Sequence, residues 1–325
     1  MIENPESFFK NKKIFLTGGT GYVGSVLLKK LAAFDCEILV LSRCKPVEPL
    51  PGKAKIKVLT GDLQQSKDWI HDLKDVEIVF HLAGQSSSVI ADQDPQRDYE
   101  INVHPTRLML DFFKQQSTRP VFVFAGTVTQ IGLSEYLPVD EKHPGRPLNF
   151  YDFHKQMAES YIKLYSRQQH VAGVSLRLPN IYGPGPSVGA ADRGILNKMV
   201  KKAMAGEALT IFGDGSPVRD YLYIDDLVEA FLLAAQNARV MSGEHFILGT
   251  GKGYSLEESF QMVIAQVAEI TGVKSKLEYE KPARPPAPIE QRKFVADIQK
   301  MVKITQWQPK IALKQGIQET IKAFL

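Results

Sequence analysis

A doubly wound, parallel α/β sheet with a smaller C-terminal lobe is predicted from three observations. The first is Thr17 to Gly24, Thr-Gly-Gly-Thr-Gly-Tyr-Val-Gly, set between the apolar runs Ile14-Phe15-Leu16 and Val26-Leu27-Leu28. The second is a succession of short apolar, β-branched runs alternating with helix-period segments as far as Leu178. The third is size: 325 residues, 44% hydrophobic and 23% charged, suit one large α/β unit or two closely joined lobes.

The elements follow in order. Ile14-Phe15-Leu16 is a buried strand, and the helix after the turn keeps Val23, Leu27 and Leu31 on one face with Lys29 and Lys30 outward. Gly19, Gly21 and Gly24 satisfy G-x-G-x-x-G, and Gly18, Gly21 and Gly24 satisfy the related G-x-x-G-x-x-G. Glycines let the chain turn tightly and approach a pyrophosphate, while the helix N-terminus offers unpaired N–H donors to the anion. A strand–turn–helix in this context predicts a Rossmann-like dinucleotide site with Gly18, Gly21, Tyr22, Val23 and Gly24 against the cofactor.

Glu37 to Ser42 is the second strand, and its end lies where the adenosine ribose would sit. An acidic residue there accepts from both ribose hydroxyls; this chain has Ser42-Arg43, with Lys45 beyond. A hydroxyl and a cation suit a 2′-phosphate, so NADP(H) is favoured and NAD is the alternative. Ile56 to Thr60 runs into Gly61-Asp62-Leu63, where Asp62 can meet the adenine amino group or cap the next helix. Val79 to Gly84 is a fourth strand whose end, Leu82-Ala83, lies against the nicotinamide ribose; His81 inside it reads as structural. A helix from about Asp98 to Gln116 is interrupted at Pro105. Pro120 to Phe124 is the fifth strand, with Thr127 and Thr129 hydroxyls behind it. Tyr151 and Lys155 share one face of the following helix, and Val174 to Leu178 is the sixth strand. Beyond Leu178 the pattern loosens: a helix near Ile195–Ala205, a strand at Leu209–Phe212, a helix at Asp226–Ala235 and a strand at His245–Leu248. Lys281 to Pro288 is too rich in proline for a helix.

The net charge of +4 is dispersed and makes no case for nucleic acid. Cys36 and Cys44 have no metal-like spacing, so no metal is expected and a reducing compartment is the simplest inference. Met1 to Lys13 has no signal-peptide core and no apolar run is long enough for a bilayer, which makes a cytoplasmic enzyme with no membrane partner the expectation.

A tyrosine hydroxyl titrates near pH 10, and an ammonium one helical turn away favours the phenolate, bringing it into range for proton transfer with a substrate hydroxyl. Joined to the glycine turn, Tyr151 and Lys155 become specific. At this point the chain resembles the extended short-chain dehydrogenase/reductase family of sugar-nucleotide epimerases, dehydratases and 4-ketoreductases. The resemblance rests on the glycine turn, Gly61-Asp62-Leu63, His81-Leu82-Ala83-Gly84, Tyr151 with Lys155 and Arg177 to Gly185. It continues in Phe212 to Gly215, Arg219-Asp220-Tyr221, Ala296-Asp297 and Trp307-Gln308-Pro309. It implies a Thr127, Tyr151, Lys155 triad and a nucleotide-diphosphate sugar held by Gln85, Thr127, Asn180, Arg219 and Arg284. It also implies a dinucleotide-binding unit over 1–178 to which 217–249 returns, a nucleotide-sugar lobe mainly over 179–325, and a homodimer.

Departures choose among reactions. The family's 4,6-dehydratases carry an Asp-Glu pair after the catalytic Thr; Val128 and Thr129 stand here, neither able to shuttle a proton at neutral pH, which argues against dehydration. Ser42-Arg43 then favours NADPH-dependent reduction of a 4-keto, 6-deoxy sugar nucleotide at C4 with Tyr151 as proton donor. The alternative is an NAD-dependent 4-epimerase working through a 4-keto intermediate. A catalytically silent dinucleotide sensor is a third reading, against which the retained Tyr151 and Lys155 argue.

Overall fold

The apolar runs pair side by side, because each buries both faces and needs neighbours for its backbone donors and acceptors. In the computed structural model, which describes residues 4–43, 49–186, 194–282, 285 and 287–325, they are β1 (Lys13–Thr17), β2 (Glu37–Ser42), β3 (Lys55–Thr60), β4 (Ile78–His81), β5 (Val121–Thr127) and β6 (Ala172–Leu178). Six further strands follow: β7 (Asn180–Tyr182), β8 (Leu209–Phe212), β9 (Val218–Tyr223), β10 (Glu244–Ile247), β11 (Gly253–Ser255) and β12 (Leu277–Glu280). Seven of them form one sheet in the order β10-β6-β5-β4-β1-β2-β3, parallel throughout. The chain leaves β1 in one direction across β2 and β3 and resumes on the other side at β4. This reversal opens a crevice at the strands' carboxyl ends, where ligands bind in such sheets.

Successive residues of β1 serve opposite faces. Ile14 and Leu16 join Val40, Phe80 and Phe231 in one core layer, while Phe15 packs with Leu39, Val79 and Trp69 in the other. From the 217–249 stretch, helix Ile224–Gln236 covers the first of these layers and β10 extends the sheet, whereas β9 pairs with β7 and β11 in a separate three-stranded sheet. A third apolar cluster, including Tyr182, Tyr221, Leu196, Val263 and Ile317, fills the lobe built after Leu178.

The helix expected from about Asp98 to Gln116 with an interruption at Pro105 is two helices, Pro95–Asn102 and His104–Lys114. Pro105 occupies the first turn of the second, where its missing N–H costs nothing, and the break falls at Val103. Thr127 belongs to β5 itself, one of two residues (with Gly126) that pair with Arg177 and Leu178 beyond the expected end of the strand. Pro288 enters a short 3-10 turn, Pro288–Gln291. Among the described residues no helix is long and apolar enough to cross a membrane.

Candidate active site

A cleft of about 780 Å³ lies along the carboxyl edge of the sheet. Gly18, Gly21, Tyr22, Val23 and Gly24 form its floor, and Ser42, Arg43, Asp62 and Leu63 border it at the ends of β2 and β3. On the other side of the crevice Leu82, Ala83, Gln85, Thr127, Tyr151, Lys155 and Asn180 line it. The topology thus gathers expected residues separated by more than a hundred positions.

The glycines are required sterically. Gly18 has φ +75°, and a Cβ there would stand 2.7 Å from the Ala83 nitrogen; a Cβ on Gly24 would stand 2.0 Å from the Gly18 carbonyl oxygen. The helix Tyr22–Leu31 that follows receives no side-chain cap at Gly21, so its first N–H groups are available to an anion. Asp62 accepts from the Gln64 backbone N–H at 2.9 Å, a local turn rather than a helix cap. His81 is structural, as expected: buried between the hydroxyls of Thr17 at 2.7 Å and Thr106 at 3.0 Å. Burial and the Lys155 charge push its pKa down to about 3.

Tyr151 and Lys155 lie one turn apart on helix Phe150–Arg167. The Lys155 ammonium is buried, 4.1 Å from the centroid of the Phe124 ring. Burial draws its pKa down to about 7, opposed by the charges of Asp98 and Glu159. Asp98 is itself held by three donors: His154 Nδ1 at 2.7 Å, Gln85 Nε2 at 2.8 Å and Asn102 Nδ2 at 2.9 Å. Thr127 is fixed from two sides: its N–H donates to Gln130 Oε1 at 3.0 Å, and its hydroxyl lies 2.8 Å from that of Thr129.

Arg219 does not line the cleft. Its guanidinium is buried and donates to the backbone carbonyls of Val218, Arg292 and Glu290. Asp220 accepts from the N–H groups of Thr250, Gly251 and Ala296. Arg284, the second expected diphosphate ligand, and Lys45 and Cys44 lie outside the described residues.

The profile of the NAD-dependent epimerase/dehydratase family matches residues 14–249, which spans the glycine turn, Thr127, Tyr151 and Lys155, and the return to the sheet. The chain belongs to this family. Among curated relatives of this family member, a putative UDP-glucose 4-epimerase of Methanocaldococcus jannaschii is 29% identical over 309 residues, covering 95% of this chain and 97% of the relative. UDP-glucuronic acid decarboxylase 1 of Danio rerio is 27% identical over 324 residues, covering 96% of this chain and 72% of that protein. Among solved structures, the UDP-glucose 4-epimerase of Thermotoga maritima with UDP-glucose superposes with a TM-score of 0.83 at 29% identity, covering 96% of this chain and 98% of that one.

The cleft fits the nicotinamide dinucleotide that this epimerase/dehydratase family uses. The floor at Gly18 and Gly24 has no room for a Cβ, the uncapped helix end faces the turn, and the cleft continues to Tyr151 and Lys155. Sequence motifs did not point to Arg292 or Asp98. Arg292 donates to Asn180 Oδ1 at 3.4 Å, and its buried Nε has no partner among the described residues. Burial and the adjacent Arg219 push it down to about 9. Its only sequence signal was a cation four residues before Ala296-Asp297.

Proposed function

We propose that this enzyme epimerises C4 of a UDP-hexose using NAD that it retains between turnovers. The observation that carries the reading is the convergence of Thr127, Tyr151 and Lys155 on the end of the cleft away from β2 and β3, beyond the glycine turn. End-to-end likeness to UDP-glucose 4-epimerases supports epimerisation over other reactions of the family.

When bound, the nicotinamide supplies uptake and return of hydride. The chain's own residues handle the proton and the sugar. The Lys155 ammonium favours ionisation of the Tyr151 hydroxyl, which takes the proton from the C4 hydroxyl and gives it back. Thr127 holds the same oxygen. Asn180 and Arg292 are proposed to hold the diphosphate, with Arg284 a further candidate, while Arg219 braces the Glu290–Arg292 backbone behind them. An anion would supply the partner that the Arg292 Nε lacks, and guanidinium groups suit phosphate geometry. Gln85 stands over the sugar side of the cleft, tied to Asp98.

Arg43 favours a second reading, reduction of a 4-keto-6-deoxy sugar nucleotide with NADP(H). It borders the cleft at the end of β2, beside Ser42, where a 2′-phosphate would lie. We further propose a homodimer through the outer face of helix Phe150–Arg167, supported by the exposure of Phe150, Phe153 and Leu164 along it.

One experiment separates the two reactions. The purified protein is denatured and any released dinucleotide identified by mass spectrometry. Native protein is then incubated with UDP-glucose, UDP-galactose, UDP-glucuronic acid and, with NADPH, a 4-keto-6-deoxy sugar nucleotide. Retained NAD with interconversion of a UDP-hexose pair and no net reduction is expected, and Tyr151→Phe should lower kcat by roughly 10²–10⁴-fold. Exchangeable NADPH consumed by the keto sugar would replace the epimerase reading with the reductase.

A further inference from the structure

Thr127 is the last residue of β5 and caps the 3-10 turn Val128–Ile131. Its hydroxyl is 2.8 Å from that of Thr129, and either oxygen can be the donor. The Thr129 hydroxyl also bonds Asp152 Oδ1. Asp152 is 1% exposed and does not line the cleft. Three oxygens therefore form a file from the cleft wall to a buried carboxyl: Thr127, Thr129, Asp152.

Helix capping accounts for half of this arrangement. Asp152 sits in the first turn of helix Phe150–Arg167, its N–H donating to Asn149 Oδ1 at 2.9 Å and its Oδ2 accepting from Asn149 Nδ2 at 2.7 Å. Those contacts leave Oδ1 unexplained, and it is Oδ1 that leaves the helix to meet Thr129. The charged groups facing the carboxyl are Arg292, which favours its ionised form, and Asp92 on helix Ser88–Gln93, which opposes it. Burial outweighs both and raises its pKa above the ordinary carboxylate value.

We propose that Thr129 and Asp152 form a proton relay to Thr127, with Asp152 as the store at its inner end, providing the C4 proton with a route beside Tyr151. The inference rests on the proposed C4 chemistry. With Asp152 ionised, Thr129 donates to it, Thr127 donates to Thr129, and the free lone pair of Thr127 accepts from the C4 alcohol. As C4 gives up its hydrogen as hydride to the oxidised dinucleotide, the alcohol proton passes to Thr127, the Thr127 proton to Thr129 and the Thr129 proton to Asp152. Three O–H bonds break and three form. Every bond in the file then points the other way: neutral Asp152 donates to Thr129, Thr129 to Thr127, and Thr127 to the new C4 carbonyl. Return of hydride reverses the sequence. A reacting oxygen that alternates between alcohol and ketone thus meets a hydroxyl able to match it in both states. Thr129 and Asp152 act through Thr127 and are positioning residues; neither touches the sugar.

The test compares Thr129→Val, which keeps the shape and deletes the hydroxyl, with Thr129→Ser, which keeps the hydroxyl. In the Tyr151→Phe background, where the relay alone carries the C4 proton, Thr129→Val is expected to lower the residual kcat roughly tenfold or more with KM little changed, and Thr129→Ser to restore it. Infrared difference spectra of ¹³C-aspartate protein against Asp152→Asn follow the Asp152 carboxyl with no substrate or cofactor present. Its titration should lie above the ordinary aspartate value of about 3.9, higher still in Thr129→Val, which loses a bond to the ionised form, and near the unaltered protein in Thr129→Ser. An Asp152 titration indifferent to Thr129→Val, or a residual kcat unchanged by it, overturns the relay. If the unaltered protein turns over no nucleotide sugar, the proposed function fails, and the infrared titration decides the coupling of Thr129 to Asp152 by itself.

Discussion

At Lys155 one residue carries two opposed demands. The proposed chemistry needs its ammonium beside Tyr151, yet its site is buried, and burial draws the pKa from the ordinary lysine range to about 7. The folded value lies below the unfolded one, so between about pH 7 and 10.4 the unfolded chain holds more protons. Folding stability therefore rises with pH across that window, and the cost of burying the charge is felt in full below it. Lys155→Met should thus raise the melting temperature of nucleotide-free protein at or below pH 7 while abolishing turnover, and the gain should shrink as pH approaches 10. Calorimetry across that range checks the sign; an equal effect at all pH values would contradict it. Arg292 shows why the residue scale was only partly legible: a cation in a proline-rich text has no period or spacing to mark it, and its value comes from Asn180 and Arg219, distant in sequence.

Between elements, one carboxylate fixes Thr127, Tyr151 and Lys155 relative to one another. Glu159 on helix Phe150–Arg167 is buried and accepts from Arg177 on β6 through Nε at 3.0 Å and Nη2 at 2.9 Å. It also accepts from Lys163 at 2.6 Å and from Gln130 at 3.1 Å, and Gln130 in turn holds the Thr127 N–H. The helix bearing Tyr151 and Lys155 is thereby tied to the strand end bearing Thr127. Burial opposes ionisation, yet these cations hold the Glu159 pKa down at about 2. Its folded value lies below the unfolded one of about 4.3, so its contribution is complete above that pH and is lost as pH falls toward 2. Glu159→Gln should cost about 3–5 kcal/mol at pH 7, measured by urea unfolding, with the difference shrinking below pH 4. The glycine turn admits an equally local test. Gly24→Ala places a methyl 2.0 Å from the Gly18 carbonyl and should weaken dinucleotide binding at least roughly tenfold by calorimetric titration.

For the whole molecule, sheet order brings the parts together. The reversal between β1 and β4 aligns the glycine turn with the ends of β4 and β5, and the adjacent β5–β6 pair sets Thr127 beside Leu178 and so near Asn180. Helix Phe150–Arg167 buries Ala158 and Ile162 against this sheet while Phe150, Phe153 and Leu164 face outward. In the proposed homodimer this exposed apolar face is the contact surface. Light scattering should give the mass of two 36.3 kDa chains, and Phe153→Glu should shift it toward one. A monomer at micromolar concentration would remove the dimer.

Periodicity and turn chemistry are local, and so the sequence by itself determined the strand–glycine turn–helix unit, the succession of β1 to β6 along the chain, the placing of Tyr151 and Lys155 on one helix face and the structural role of His81. Even the site of the helix break was written in Pro105, though Val103 marks where it falls. Only the tertiary structure decided the partners of Asp98, Asp152 and Arg219, because a side chain's ligands are set by which distant backbone or hydroxyl the packing delivers to it. Asp152 is adjacent to Tyr151 in sequence yet meets Thr129 through the docking of a helix on a strand end. Arg219 sits in a motif that implies phosphate, yet packing surrounds its buried charge with carbonyls from the Glu290–Arg292 segment. Spacing along the chain records neither event, since neither depends on it.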